Sequence, residues 1–172
     1  DGDIHVSTGM TTEDQLDTIL AAIDKETNLN RVVIYTTTSC YPCTFEDLHL
    51  LRINSFDQKY SDMGIKALGF SGHHNGISAD IAAYTLGAKY IERHFTLDRT
   101  LKGTDHAASL ELSGISKLNR DLILTFKSLN FKSVKSLILL INILKGTNII
   151  KATIILTAKS PIDNVTQGIS VP

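Results

Sequence analysis

Four times over, a run of apolar and β-branched residues gives way to a polar cluster and then to a helical pattern. This repeat confines the chain to few folds. The runs lie at 4–7, 31–36, 65–70 and 88–93. In the second, Val32, Val33, Ile34 and Tyr35 are apolar on successive residues, as in a strand buried on both faces. Between the first two runs, Thr12 and Gln15 have the spacing of a capping box, and Leu16, Ile19, Leu20 and Ile23 recur at i, i+3, i+4 and i+7. Further helices are predicted over 48–60, 77–86 and 115–126. Gly87 stands just past the end of the second of these, and Leu118, Leu122 and Phe126 share one face of the last. Alternation of this kind predicts a parallel sheet covered by helices, an α/β class. Each polar cluster follows a strand and precedes a helix, which in a (β/α) barrel is the catalytic face. Four βα units are half of such a barrel. Half a barrel leaves two open strand edges and an uncovered interior, so a piece of a longer protein is expected, as is also read from an abrupt start in what looks like the middle of a strand.

Composition enters by what it excludes. The 172 residues are 42% hydrophobic and 20% charged, as in a globular chain of one domain or somewhat more. A net charge of −1 gives no electrostatic footprint for nucleic acid or an anionic membrane surface. The longest apolar run, 137–144 with Asn142 inside it, is far short of the ~20 residues that span a bilayer. Two cysteines and no signal-like leader point to the cytoplasm. After residue 128 the pattern changes: 132–144 is basic and then apolar, Lys145-Gly146-Thr147 reads as a turn, 149–156 is β-rich and 159–172 has loop composition. The expected division is therefore an α/β region over 1–128, then a linker and the start of a small β-rich domain over 129–172.

The chemistry concentrates between Ser71 and Asp105. His73 and His94 are expected at the ends of neighbouring strands, and Glu92 precedes His94 by two, so both side chains share a strand face. Two imidazoles and a carboxylate at one sheet edge suit a divalent metal. Plainer readings apply elsewhere. His74 and His106 are expected as loop histidines, His5 and His49 on the surface, Asp98 as a turn former, and Glu92 has Arg93 or a lysine as an alternative ion-pair partner. Taken alone, the hydroxyls of Ser7, Ser39 and Ser71 read as loop or helix-capping groups. Cys40-Tyr41-Pro42-Cys43 after a strand offers a competing reading as a thiol-disulfide oxidoreductase, which would also need a cis-proline further along the chain.

Several motifs occur together in one order: Ser7-Thr8-Gly9-Met10, Thr38-Ser39-Cys40-Tyr41-Pro42, Gly69-Phe70-Ser71-Gly72-His73, Glu92-Arg93-His94-Phe95-Thr96-Leu97-Asp98, and Lys102-Gly103-Thr104-Asp105-His106 running on to Glu111. With them the chain resembles the sialic acid synthases over roughly residues 4 to 125, with a weaker echo over 145–161. The resemblance implies the second half of a (β/α)8 TIM barrel followed by the start of an antifreeze-like domain. It implies condensation of phosphoenolpyruvate with an N-acetylmannosamine-type sugar, giving a nonulosonate and phosphate. By motif position His73 and His94 resemble the ligands of a divalent metal, usually manganese, with magnesium or cobalt as alternatives. Glu92 resembles the carboxylate at the reacting carbon, Ser7, Ser39 and Ser71 the hydroxyls that contact phosphoenolpyruvate, and Tyr41 and Asp105 the holders of the acceptor sugar. A homodimer of the full-length protein is implied as well. The chain departs from the pattern in a short 126–137 segment and a uniformly apolar 137–156. Another phosphoenolpyruvate-condensing synthase and an inactive truncated copy are the remaining alternatives.

Overall fold

A computed structural model describes residues 2–129, 136–143 and 150–157, the last two segments as backbone. The elements run β1 (Ile4–Ser7), α1 (Glu13–Glu26), β2 (Val32–Thr37), α2 (Arg52–Tyr60), β3 (Ala67–Gly72), α3 (Ser78–Thr85), β4 (Tyr90–Phe95), α4 (Thr104–Ala108), α5 (Leu112–Ser128), β5 (Ser136–Ile143) and β6 (Ile150–Thr157). Strands β1 to β4 pair in parallel in chain order, each shifted in register against the last: Ser7 lies opposite Tyr35, Thr37 opposite Ser71, and Ser71 opposite Glu92. This is the expected parallel sheet with helical crossovers. No helix among the described residues is long and apolar enough to cross a membrane.

Alternation along each strand separates two faces. Val32, Ile34, Leu68, Phe70 and Ile91 face the helices and join Leu16, Leu20, Ile53, Phe56, Ala83, Leu118, Leu122 and Phe126 in the main core. Val33, Tyr35 and Tyr90 bury themselves on the opposite, concave face, with Ala67 against them. There Gly69 is required by contact: a Cβ built on it would lie 2.6 Å from the Tyr35 ring. The Tyr35 hydroxyl is 2.8 Å from His5 Nδ1, and the rings of His5, Tyr35 and Tyr90 pack with centroids 5.6 to 6.4 Å apart.

Four details differ from the sequence expectation. Strands β3 and β4 run two residues further, because Gly72 pairs with Arg93, while the Leu110 N–H donates to the His94 carbonyl at 2.8 Å and the Thr96 N–H to the Leu110 carbonyl at 3.0 Å. The segment predicted as a helix over 48–60 begins as a 3-10 turn, Glu46–Leu48, and becomes α2 only from Arg52, after His49 takes a left-handed conformation. The loop expected between Phe95 and Ser109 contains α4. The sheet order is β1-β2-β3-β4-β6-β5, with β6 antiparallel to β4, so one of the two edges expected to be open is covered. The 145–147 turn and the 159–172 loop lie outside the described residues.

Candidate functional site

The C-terminal ends of the four parallel strands carry the polar clusters, as the alternation requires. On β4, Glu92 and His94 share the concave face. Ser71 lies opposite Glu92 on β3, and its hydroxyl donates to Glu92 Oε1 at 2.9 Å. His73 follows the last residue of β3 and is buried. Its Nδ1 is 2.9 Å from the Thr38 carbonyl oxygen, which can only accept, so Nδ1 carries a proton and, in the neutral ring, the lone pair is on Nε2. The His73 carbonyl in turn accepts the Cys43 N–H at 2.9 Å. His73 is thus pinned by the loop that follows β2.

The imidazole centroids of His73 and His94 lie 4.9 Å apart, inclined at 60°. Tyr41 packs over both, 4.2 Å from His73 and 5.7 Å from His94. An imidazole whose Nδ1–H is committed to a backbone carbonyl is the usual arrangement of a metal-binding histidine. The donor set at this pair therefore fits a divalent cation, supplying two of the ligands it would need. Among the described residues no group of three or more His, Cys, Asp or Glu side chains is placed to hold a metal ion.

The predicted residues fall into three sets. His73, His94 and Tyr41 form one contact group, and the hydrogen-bonded pair Ser71 and Glu92 lies on the same face of β3 and β4. Ser7 and Ser39 stand exposed at the ends of β1 and of the segment after β2. Gly9 draws those two loops together: a Cβ there would lie 2.3 Å from the Ser39 hydroxyl oxygen. Asp105 is half-buried in the first turn of α4, where its backbone carbonyl accepts the Ser109 hydroxyl at 2.6 Å. Asp98 is structural as expected, accepting from the Thr100 N–H and hydroxyl at 2.7 Å each, and these hold its carboxyl below the usual range.

Other expectations are corrected. His106 lies in α4 and not in a loop, where its Nδ1 meets the Thr96 hydroxyl at 2.7 Å, while His74 follows β3 as a loop residue but is buried beside Arg93. Arg93 does not pair with Glu92. Strand alternation turns it to the helix side, where it meets Asp80 at 2.6 Å. Sequence reasoning passed over Tyr35, beneath Glu92. Burial first, and then the Glu92 charge, push its phenol well above the ordinary range, so it is protonated across neutral pH. An aromatic at an inward strand position was the signal available. For the dithiol reading, burial raises the Cys43 thiol above its usual value, and the Tyr41–Pro42 bond between the two cysteines is cis.

Comparison with known proteins agrees with the motifs. The model of the NeuB family matches residues 1–133. The human N-acetylneuraminate-9-phosphate synthase is 39% identical over 124 residues, 72% of this chain and 33% of that protein. The Campylobacter jejuni pseudaminic acid synthase is 37% identical over 106 residues, 62% of this chain and 29% of that protein. In structure, the N-acetylneuraminic acid synthetase of Leptospira borgpetersenii superposes with a TM-score of 0.68 at 27% identity, covering 78% of this chain and 45% of the other. The chain thus spans about a third of the length of the first of these sequence relatives and less than half of that structure.

Proposed function

Since this chain belongs to the NeuB family, we propose that the protein carrying it condenses phosphoenolpyruvate with an N-acetylmannosamine-type sugar to give a nonulosonate and phosphate. The observation that carries the reading is the His73–His94 pair beside Glu92, with His73 Nδ1 committed to the Thr38 carbonyl. His73 and His94 would hold a divalent cation, manganese in first place and magnesium or cobalt as alternatives, through neutral imidazole nitrogens. The chemistry a cation supplies there is Lewis-acid polarisation of an aldehyde oxygen.

The chain's own residues account for the rest. Carbon 3 of phosphoenolpyruvate bonds to the aldehyde carbon of the open-chain sugar through the C2=C3 π pair, the aldehyde π pair moves onto its oxygen, which takes up the proton later given up by the attacking water, and C2 is left oxocarbenium-like. Glu92, oriented by the Ser71 hydroxyl, accepts a hydrogen bond from a water and aims it at C2. Loss of phosphate from the resulting carbon leaves the keto acid. Ser7, Ser39 and Ser71 contact phosphoenolpyruvate without forming competing salt links. Tyr41, packed on both imidazoles, and Asp105 on α4 orient the acceptor. The family likeness supports a homodimeric full-length protein, and two free cysteines fit a cytoplasmic setting.

The test is phosphate release from phosphoenolpyruvate by the full-length product, with manganese, with chelator, and across N-acetylmannosamine, its 6-phosphate and a dideoxy-diacetamido hexose. Release with one acceptor, lost with chelator, is expected and names the sugar. Release by the His73→Ala and His94→Ala variants at the unsubstituted rate would overturn the ligand assignment.

A further inference from the structure

On the helix-facing side of β3 and β4, behind the histidine pair, lies a charged cluster closed to solvent. Arg93 is 1% exposed, and Asp80 and His74 are 0% exposed. Arg93 Nη1 donates to Asp80 Oδ2 at 2.6 Å and to the Gly76 carbonyl at 2.8 Å, and it lies 3.2 Å from His74 Nε2. Nη2 donates to the His74 carbonyl at 2.6 Å and to that of Ala108 at 3.3 Å. A guanidinium withdrawn from water is tolerated only where an anion and good acceptors replace its hydration. Asp80 supplies the charge and backbone carbonyls supply the acceptors. Arg93 Nε, Asp80 Oδ1 and His74 Nδ1 have no hydrogen-bond partner among the described residues. Buried polar atoms left in this state cost stability, and such costs gather where function sets the geometry.

We propose that Arg93 is a positioning residue for the His73–His94 pair, with Asp80 and His74 as its neutralising and packing partners. The proposal rests on the two-histidine metal reading above. Arg93 sits on β4 between Glu92 and His94, so it shares their backbone. Its fork grips the carbonyl of His74, next in the chain to His73, and that of Gly76. It also reaches Ala108, two residues before Leu110, whose N–H holds the His94 carbonyl. One guanidinium thereby ties the segment carrying His73 and the segment bracing His94 to the strand that carries Glu92. A lysine ammonium on a flexible stem lacks the planar fork that holds these acceptors at once.

The experiment is titration of manganese chloride alone into the full-length product that carries this chain, read by loss of the free-ion electron paramagnetic resonance signal, with circular dichroism as the check on fold. The variant is the pair Arg93→Met and Asp80→Leu, which removes both charges together and leaves no buried ion unpaired. A folded double variant is expected to bind manganese weaker by roughly tenfold or more, the usual contribution of groups that brace a ligand from behind. A smaller loss overturns the proposal and leaves the site reading intact. If the double variant does not fold, Arg93→Lys, which keeps the charge opposite Asp80, is held to the same criterion. Failure of the unsubstituted product to bind manganese overturns the two-histidine reading itself, and this inference with it.

Discussion

A thiol reacts as its thiolate and only where a reagent can reach it, and burial opposes both at Cys43. Cys43 is buried with its N–H bonded to His73, and burial, then Cys40 and Asp47, raise its thiol above the ordinary value. Cys40 is exposed, with its Sγ 3.4 Å from the Pro42 carbonyl. Iodoacetamide at neutral pH is therefore expected to alkylate Cys40 and spare Cys43, as read by peptide mass analysis. Preferential alkylation of Cys43 would revive the dithiol reading. His73, His94 and Glu92 were legible in the sequence because strand ends and the two-residue alternation of a strand determine where they point. For Arg93, from the same motif, the sequence offers Glu92 only as an alternative ion-pair partner. Its true partner, Asp80, sits 13 residues away on α3, and no local spacing reveals a contact made by packing a helix on a strand. The burial of His74 was hidden for the same reason.

At the scale of elements, local chemistry that closes on itself was readable. The Thr12 hydroxyl accepts the Gln15 N–H at 3.3 Å and Gln15 Oε1 accepts the Thr12 N–H at 3.0 Å, the reciprocal cap that the spacing predicts. Boundaries set by neighbours were not: β4 extends because Leu110 pairs with it, and α4 interrupts what reads as a long loop. The joining of α1 to α2 is likewise tertiary. Lys59 Nζ lies 2.9 Å from Asp17 Oδ2 and 3.4 Å from Glu13 Oε2, and the Tyr60 hydroxyl donates to Asp17 Oδ1 at 2.8 Å. Lys59 first, then Tyr60, hold the Asp17 carboxyl below the usual carboxylate range. A pKa lowered on folding contributes stability above the unfolded value, which is lost as pH falls through the folded one. Asp17→Asn is therefore expected to lower Tm at neutral pH, with a gap that closes below about pH 4. The gap will be small, because the pair is solvent-exposed. Thermal melts of both proteins across pH 7 to pH 3 check this on the scale of roughly one pKa range.

For the whole molecule, the four-strand parallel sheet was legible because four hydrophobic runs alternate with helical periods. That β6 pairs with β4 was not, since strand order depends on which edge a hairpin finds. In this sheet β2 and β3 are flanked on both sides and largely buried, while β1 has four residues and one neighbour. Amide hydrogen exchange is expected to be slowest in β2 and β3 and fastest, among the parallel strands, in β1. Peptide-resolved mass spectrometry reads that order directly, and a β1 as protected as β3 would contradict it. The packing of Tyr35 over Gly69, with His5 and Tyr90 against it, sets the depth of the site. The space beneath Ser71 and Glu92 is already filled by rings. A ligand at the histidine pair would therefore find its room toward the C-terminal ends of the strands and not below them.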